Sequence, residues 1–219
     1  MMLKLYGYWR SSAAYRVRIA LNLKGLDADL LSVHLVKDGG EQHKADYAKL
    51  NPQELVPTLV DIDESGNEFV LSQSMAILEY LEDCYPQSAL LPTEAKSKAL
   101  VRALALSIAC EIHPLNNLKV LQYLAGEIGI ADEAKSAWYH HWIHEGFGAL
   151  EQQLEKHAGR FCFGDSVTLV DLCLIPQVYN AHRFKVDLTR YPNILRVTEN
   201  CNQQDAFIQA MPENQFDAS

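Results

Sequence analysis

Several absences narrow what this chain can do. No apolar run approaches the ~18 residues that a membrane-spanning helix needs. The start, Met1-Met2-Leu3-Lys4, lacks the charged-then-apolar layout of a secretion signal, so a cytoplasmic protein without a membrane partner is expected. Positive charge is in deficit, the net charge being −9. That excludes nucleic acid as the main partner, because phosphates are held by basic patches. Cysteines are few and unpaired in pattern: Cys84, Cys110, Cys162, Cys173 and Cys201 contain no C-x-x-C spacing. An odd number suits reduced thiols better than a disulfide framework. A metal centre lacks support too. His140 and His144 share a helix face, but spacing supplies no third ligand, and no metal is expected.

What is present reads as two regions. Residues 3–7 alternate as a strand, and Ala13 to Leu23 follows as an amphipathic helix stopped at Gly25. Asp29 to His34 is a second strand, and a short polar helix is expected near Glu41–Lys49. Thr58 to Asp63 and Phe69 to Leu71 flank Glu64-Ser65-Gly66-Asn67 as a hairpin, and Ser74 to Cys84 closes the region as a helix. The order β-α-β-α-β-β-α predicts a thioredoxin-like domain over 1–84. A linker over 85–93 contains Pro86 and Pro92. Strand signals then largely vanish, and helical patterns over 94–124, 132–157, 169–183 and from 191 predict an all-helical domain over 94–219. The fold class is therefore an α/β thioredoxin-like domain plus an all-α domain. Within the second region, Val167-Thr168-Leu169-Val170-Asp171-Leu172 reads as a capping box, a folding element with no catalytic part.

Chemistry gathers in the first region. The turn Arg10-Ser11-Ser12 places two hydroxyls at a helix N-terminus, where free N–H groups stabilise an anion such as a thiolate. The competing reading is that one serine only caps the helix. Leu55-Val56-Pro57-Thr58 puts a proline just before a strand, where a cis peptide would leave the backbone of Val56 open to an extended peptide. Gln73-Ser74 opens another helix whose N-terminus suits a carboxylate. A thiolate site, a peptide-backbone site and a carboxylate site together describe glutathione.

These stretches resemble the zeta class of the glutathione transferases. The signature is Ser11-Ser12-Ala13-Ala14-Tyr15-Arg16-Val17-Arg18, and it continues through Asn51-Pro52, Val56-Pro57-Thr58-Leu59, Gln73-Ser74 and Ile112-His113-Pro114-Leu115-Asn116-Asn117-Leu118. Asp171 to Val178 and Arg183 to Leu188 extend the likeness over nearly the whole chain. The resemblance implies a homodimer that uses glutathione to isomerise maleylacetoacetate to fumarylacetoacetate in tyrosine and phenylalanine catabolism. Isomerisation of maleylpyruvate, or conjugation of halogenated acids by a general transferase, is the alternative. It further implies that Ser11, with Ser12 beside it, stabilises the thiolate. Gln42 would contact the tripeptide, Val56 would pair with its cysteinyl backbone, and Gln73 and Ser74 would hold the γ-glutamyl end. His113 and Asn117 would close the site, while Arg10 and Arg183 would grip the carboxylates of a small dicarboxylate keto acid, with Lys119 a weaker choice. Ala13 stands where many relatives have cysteine, and His113 where many have glutamine; both features are similar to the maleylpyruvate branch.

Overall fold

The computed structural model describes residues 2–218. Two compact units emerge: the first runs as far as Ala89 and resumes at Gln204, and the second spans Leu90–Gln203. The pattern-based boundary assigns everything after residue 94 to the helical region. The stretch from Gln204 instead packs with the first unit.

The first unit follows the expected order. Strand β1 (Met2–Gly7) leads to helix α1 (Ser12–Lys24), β2 (Ala28–Ser32), short 3₁₀ turns, α2 (Ala45–Leu50), β3 (Thr58–Ile62), β4 (Glu68–Ser72) and α3 (Ser74–Cys84). The sheet order is β2-β1-β3-β4, with β1 parallel to β2 and antiparallel to β3. The hairpin forms where it was expected. The Asp63 carboxylate accepts from the N–H groups of Ser65 at 2.8 Å and Asn67 at 2.9 Å, and Gly66 takes φ 83. The Asn67 side chain, whose Nδ2 donates to Asp63 at 2.9 Å, does most to hold the Asp63 carboxyl below its usual pKa, and the two N–H bonds add to it.

Helix α1 stops at Gly25, whose φ of 64 lets its N–H reach Asn22 O, while Leu26 N–H returns to Leu21 O. Its burial exceeds that of an amphipathic helix: apart from Ala13, every residue from Ser12 to Leu21 is buried. The cause is a second covering layer, helix α9 (Asp205–Ala210). The Arg18 guanidinium donates to Ala210 O at 3.0 and 3.1 Å, and Asn22 Nδ2 donates to Ala206 O at 2.9 Å. The chain terminus therefore completes the first core rather than the second.

The second unit is helical: α4 (Ala95–Leu106), α5 (Leu118–Gly126), α6 (Asp132–His157), α7 (Leu169–Arg183) and α8 (Pro192–Asn202). Helix α7 is its centre, buried at every residue from Leu169 to Val178. Its capping box forms. The Asp171 carboxylate accepts from the N–H groups of Thr168 at 2.8 Å and Cys162 at 2.9 Å. Burial raises the Asp171 pKa, and those bonds oppose the rise. The continuous pattern over 94–124 does not give one helix. A π-helical turn, Ser107–Ile112, and a 3₁₀ turn, Pro114–Asn116, separate α4 from α5. Pro114 has no N–H to continue the ladder, and the Asn117 side chain accepts from Lys119 N–H at 3.1 Å to start a new helix.

Candidate functional site

The sheet register gathers the sequence-predicted groups of the first unit. Tyr6, at the end of β1, lies opposite Thr58, at the start of β3, and Thr58 lies opposite Ser72, at the end of β4. The turn to Ser11, the loop holding Val56 and the start of α3 thus leave the sheet along one edge. A direct bond ties two of them: Arg16 Nη1 of α1 donates to Ser74 Oγ of α3 at 3.2 Å.

At the N-terminus of α1, Ser11 is the cap, its Oγ accepting from Ala14 N–H at 3.2 Å. Capping and thiolate binding are compatible here. The oxygen accepts one bond, and the hydroxyl hydrogen has no acceptor among the described residues, so it can donate to an anion. Ser12 is the first residue of α1 and is buried. Arg10 is exposed, with its guanidinium 4.0 Å from the centre of the Trp9 ring. Trp9 is held on both sides: its N–H donates to Asp217 at 3.3 Å, and its carbonyl accepts from Arg18 at 3.0 Å.

The loop before β3 is fixed by a buried polar cluster. Tyr47 Oη donates to Leu55 O at 2.6 Å and lies 2.9 Å from Thr58 Oγ1, while Asn51 Nδ2 donates to Leu55 O at 2.8 Å. The Val56–Pro57 peptide is cis. The N–H and C=O of Val56 make no hydrogen bond among the described residues, which leaves both for an extended ligand backbone. At the start of α3, Gln73 holds φ 73 and ψ 111, a sparsely populated positive-φ conformation that costs a residue other than glycine about 1–3 kcal/mol. It makes no side-chain cap bond, so the first N–H groups of α3 receive no side-chain cap. Its Nε2 instead donates to Gln53 Oε1 at 2.7 Å. Gln42 is buried and gives Nε2 to Leu35 O at 3.3 Å, whereas its Oε1 has no partner. A buried orphan acceptor, an open backbone pair and an uncapped helix start fit a peptide-like anion.

The remaining predicted residues lie in the second unit. His113 follows the π-helical turn directly, and its Nε2 is 3.4 Å from Asn117 Nδ2. Gly146 of α6 makes room for that turn, since a Cβ there would fall 2.2 Å from Ile112 Cγ1. Arg183 is exposed at the end of α7, with its guanidinium 4.9 Å from the Phe184 ring and no ion pair among the described residues. No salt bridge among the described residues therefore occupies this guanidinium. Lys119 is exposed. His140 and His144 face Phe184 O and Tyr191 Oη, each at 2.9 Å. Sequence reasoning gave no role to Arg16, Tyr47 or Asp217. Arg16 lay inside the signature, but its burial was not visible there; Tyr47 and Asp217 carried no local signal.

Residues 10–84 match the family model for the glutathione S-transferase N-terminal domain, and residues 142–200 that for the C-terminal domain. Over 218 residues the chain is 53% identical to a probable maleylacetoacetate isomerase of Vibrio cholerae, covering 100% of this chain and 99% of that one. The structure resembles the holo form of a maleylpyruvate isomerase, described as a bacterial zeta-class glutathione S-transferase. The TM-score is 0.92 and the identity 47%, with 99% of this chain and 100% of that one covered. It also resembles a maleylacetoacetate isomerase of Anaeromyxobacter dehalogenans with glutathione bound in the active site. There the TM-score is 0.90 and the identity 42%, over 100% of this chain and 98% of that one.

Proposed function

Since the chain belongs to the glutathione S-transferase family, we propose that it is a glutathione-dependent cis–trans isomerase that converts maleylacetoacetate to fumarylacetoacetate. The observation that carries this reading is the single sheet edge from which Ser11, the open backbone of Val56 and the uncapped start of α3 all emerge. When bound, glutathione supplies a thiolate that adds reversibly to a conjugated alkene and so permits rotation about the former double bond.

The chain's own residues do the rest. Ser11 donates its hydroxyl hydrogen to the anionic sulfur, and the N-terminus of α1 adds partial positive charge beside Ser12. Val56 exchanges backbone hydrogen bonds with the tripeptide, and Gln42 offers its orphan Oε1. Gln73 and Ser74 hold the γ-glutamyl end. Arg10 is an exposed guanidinium suited to a carboxylate and to charge that develops on the substrate carbonyl. Arg183, exposed and without an ion pair among the described residues, takes the second carboxylate. The assignment of His113 and Asn117 to glutathione rests on the resemblance of their stretch to the zeta class. The division of labour follows a glutathione-binding region over 1–84, a linker over 85–93 and a substrate-binding region from residue 94, whose stretch from Gln204 packs back on the first unit, in a cytoplasmic homodimer serving tyrosine and phenylalanine breakdown. No helix among the described residues is long and apolar enough to cross a membrane.

The likeness to a maleylpyruvate isomerase and the residues Ala13 and His113 favour a second reading, with maleylpyruvate as the substrate. Both substrates are to be assayed with and without glutathione, with free thiol measured throughout. Isomerisation that needs glutathione and leaves its concentration unchanged is expected. Stoichiometric loss of thiol would instead identify a conjugating transferase.

A further inference from the structure

The most unusual charge in the first unit is Arg16. The residue is 2% exposed, and its Nε and Nη2 are buried without a hydrogen-bond partner. It makes no ion pair among the described residues. Its one hydrogen bond runs from Nη1 to Ser74 Oγ at 3.2 Å. A buried cation with no counter-charge is costly for the fold, and such a group is ordinarily paired. Here the fold brings it to the N-terminus of α3, where partial positive charge already accumulates and no side chain caps the helix. Two positive features placed together call for an anion supplied from outside.

The polarity of the Arg16–Ser74 bond sharpens this. A guanidinium only donates, so Ser74 Oγ must be the acceptor. The Ser74 hydroxyl hydrogen is then directed elsewhere, and it has no acceptor among the described residues. We propose that Arg16 is a positioning residue for the α-carboxylate of the γ-glutamyl group, because its buried bond fixes Ser74 as a donor toward that carboxylate at the start of α3. Arg16 touches Ser74 and supplies uncompensated positive charge behind it; the ligand is touched by Ser74 and the helix N–H groups. The proposal rests on the glutathione reading above and names a chain residue that selects for one end of the tripeptide.

The test compares glutathione with its analogue lacking the γ-glutamyl α-carboxylate, by calorimetric titration of the full chain. Wild-type protein is expected to prefer glutathione. Failure of that preference would overturn the assignment of the γ-glutamyl end to α3, independently of Arg16. Arg16→Met should weaken glutathione binding about tenfold, the equivalent of ~1.4 kcal/mol, and leave the affinity for the analogue unchanged. Arg16→Lys should restore most of the preference. Because Arg16→Met removes an unpaired buried charge, the free protein should melt no lower than wild type. If Arg16→Met does not fold, Arg16→Ala carries the same comparison, as it also removes both the charge and the donor to Ser74. In a Ser74→Ala background the further effect of Arg16→Met should shrink, since the two act through one bond. Equal losses for both ligands, or a preference that survives removal of the guanidinium, would show that Arg16 is structural only.

Discussion

Ser11→Ala is the most informative single change, because the structure gives Ser11 two separable duties. Its Oγ accepts from Ala14 N–H at 3.2 Å as the cap of α1, and its hydroxyl hydrogen is available to an anion. Loss of an N-cap costs about 1 kcal/mol of stability. Loss of a hydrogen bond to a charged sulfur costs about 1.5–3 kcal/mol, which corresponds to a turnover deficit between roughly tenfold and 150-fold. Each kilocalorie lost from the thiolate also raises the pKa of the bound thiol by about 0.7. The assay is twofold: urea unfolding for stability, and glutathione-dependent isomerisation alongside ultraviolet titration of the bound thiolate. Ser11→Asp separates the duties. Aspartate caps a helix as well as serine does, yet it has no proton to give and repels a thiolate. Stability should recover in Ser11→Asp while turnover stays low and the thiol pKa rises further. Recovery of turnover in Ser11→Asp would refute the donor role and leave Ser11 as a cap alone.

Arg183→Ala should chiefly weaken handling of the dianionic substrate, by about tenfold in kcat/KM for one lost charge-assisted contact; an equal loss toward a neutral chlorinated aromatic would make the residue structural. Thr168→Ala should cost ~1 kcal/mol through the α7 cap, a fall in Tm of about 2–4 °C for a chain of this size, with glutathione affinity retained. An unchanged melting curve would remove Thr168 from its capping role. Ala13→Cys would place a thiol in the first turn of α1, where the helix N-terminus lowers thiol pKa. Mass spectrometry after incubation with oxidised glutathione should then find a mixed disulfide at residue 13 that the wild-type turn does not form.

Much of this protein could be read from local chemistry. Ser11 and Gly25 mark the ends of α1, the Asp63–Asn67 turn closes the hairpin, and Thr168 with Asp171 starts α7, each through groups only a few residues apart. The glutathione-like constellation was legible for the same reason, since Ser11, Val56 and Ser74 each stand beside a strand end or helix start that the sequence marks. The short polar helix expected near Glu41–Lys49 was only half right. Residues 41–43 form a 3₁₀ turn, and α2 begins at Ala45. The break within 94–124 is hidden from periodicity, because Pro114 and Asn117 interrupt a hydrophobic pattern that itself runs on.

Other features depend on groups far apart in the chain, and only the tertiary structure decided them. Periodicity makes α1 amphipathic, but α9 arrives from residue 205 onward to cover its outer face, held by Arg18 and Asn22. The positive-φ backbone of Gln73 follows from how β4 must turn into α3 and contradicts the residue's own preference. Arg16 looks like any surface arginine in the sequence and becomes a buried, singly bonded cation once α1 and α3 pack together. Caps, turns and alternation are set by neighbours within a helical turn, so the sequence determines them by itself. Burial and charge compensation are set by whatever the fold brings alongside, and they exist only once the chain has closed on itself.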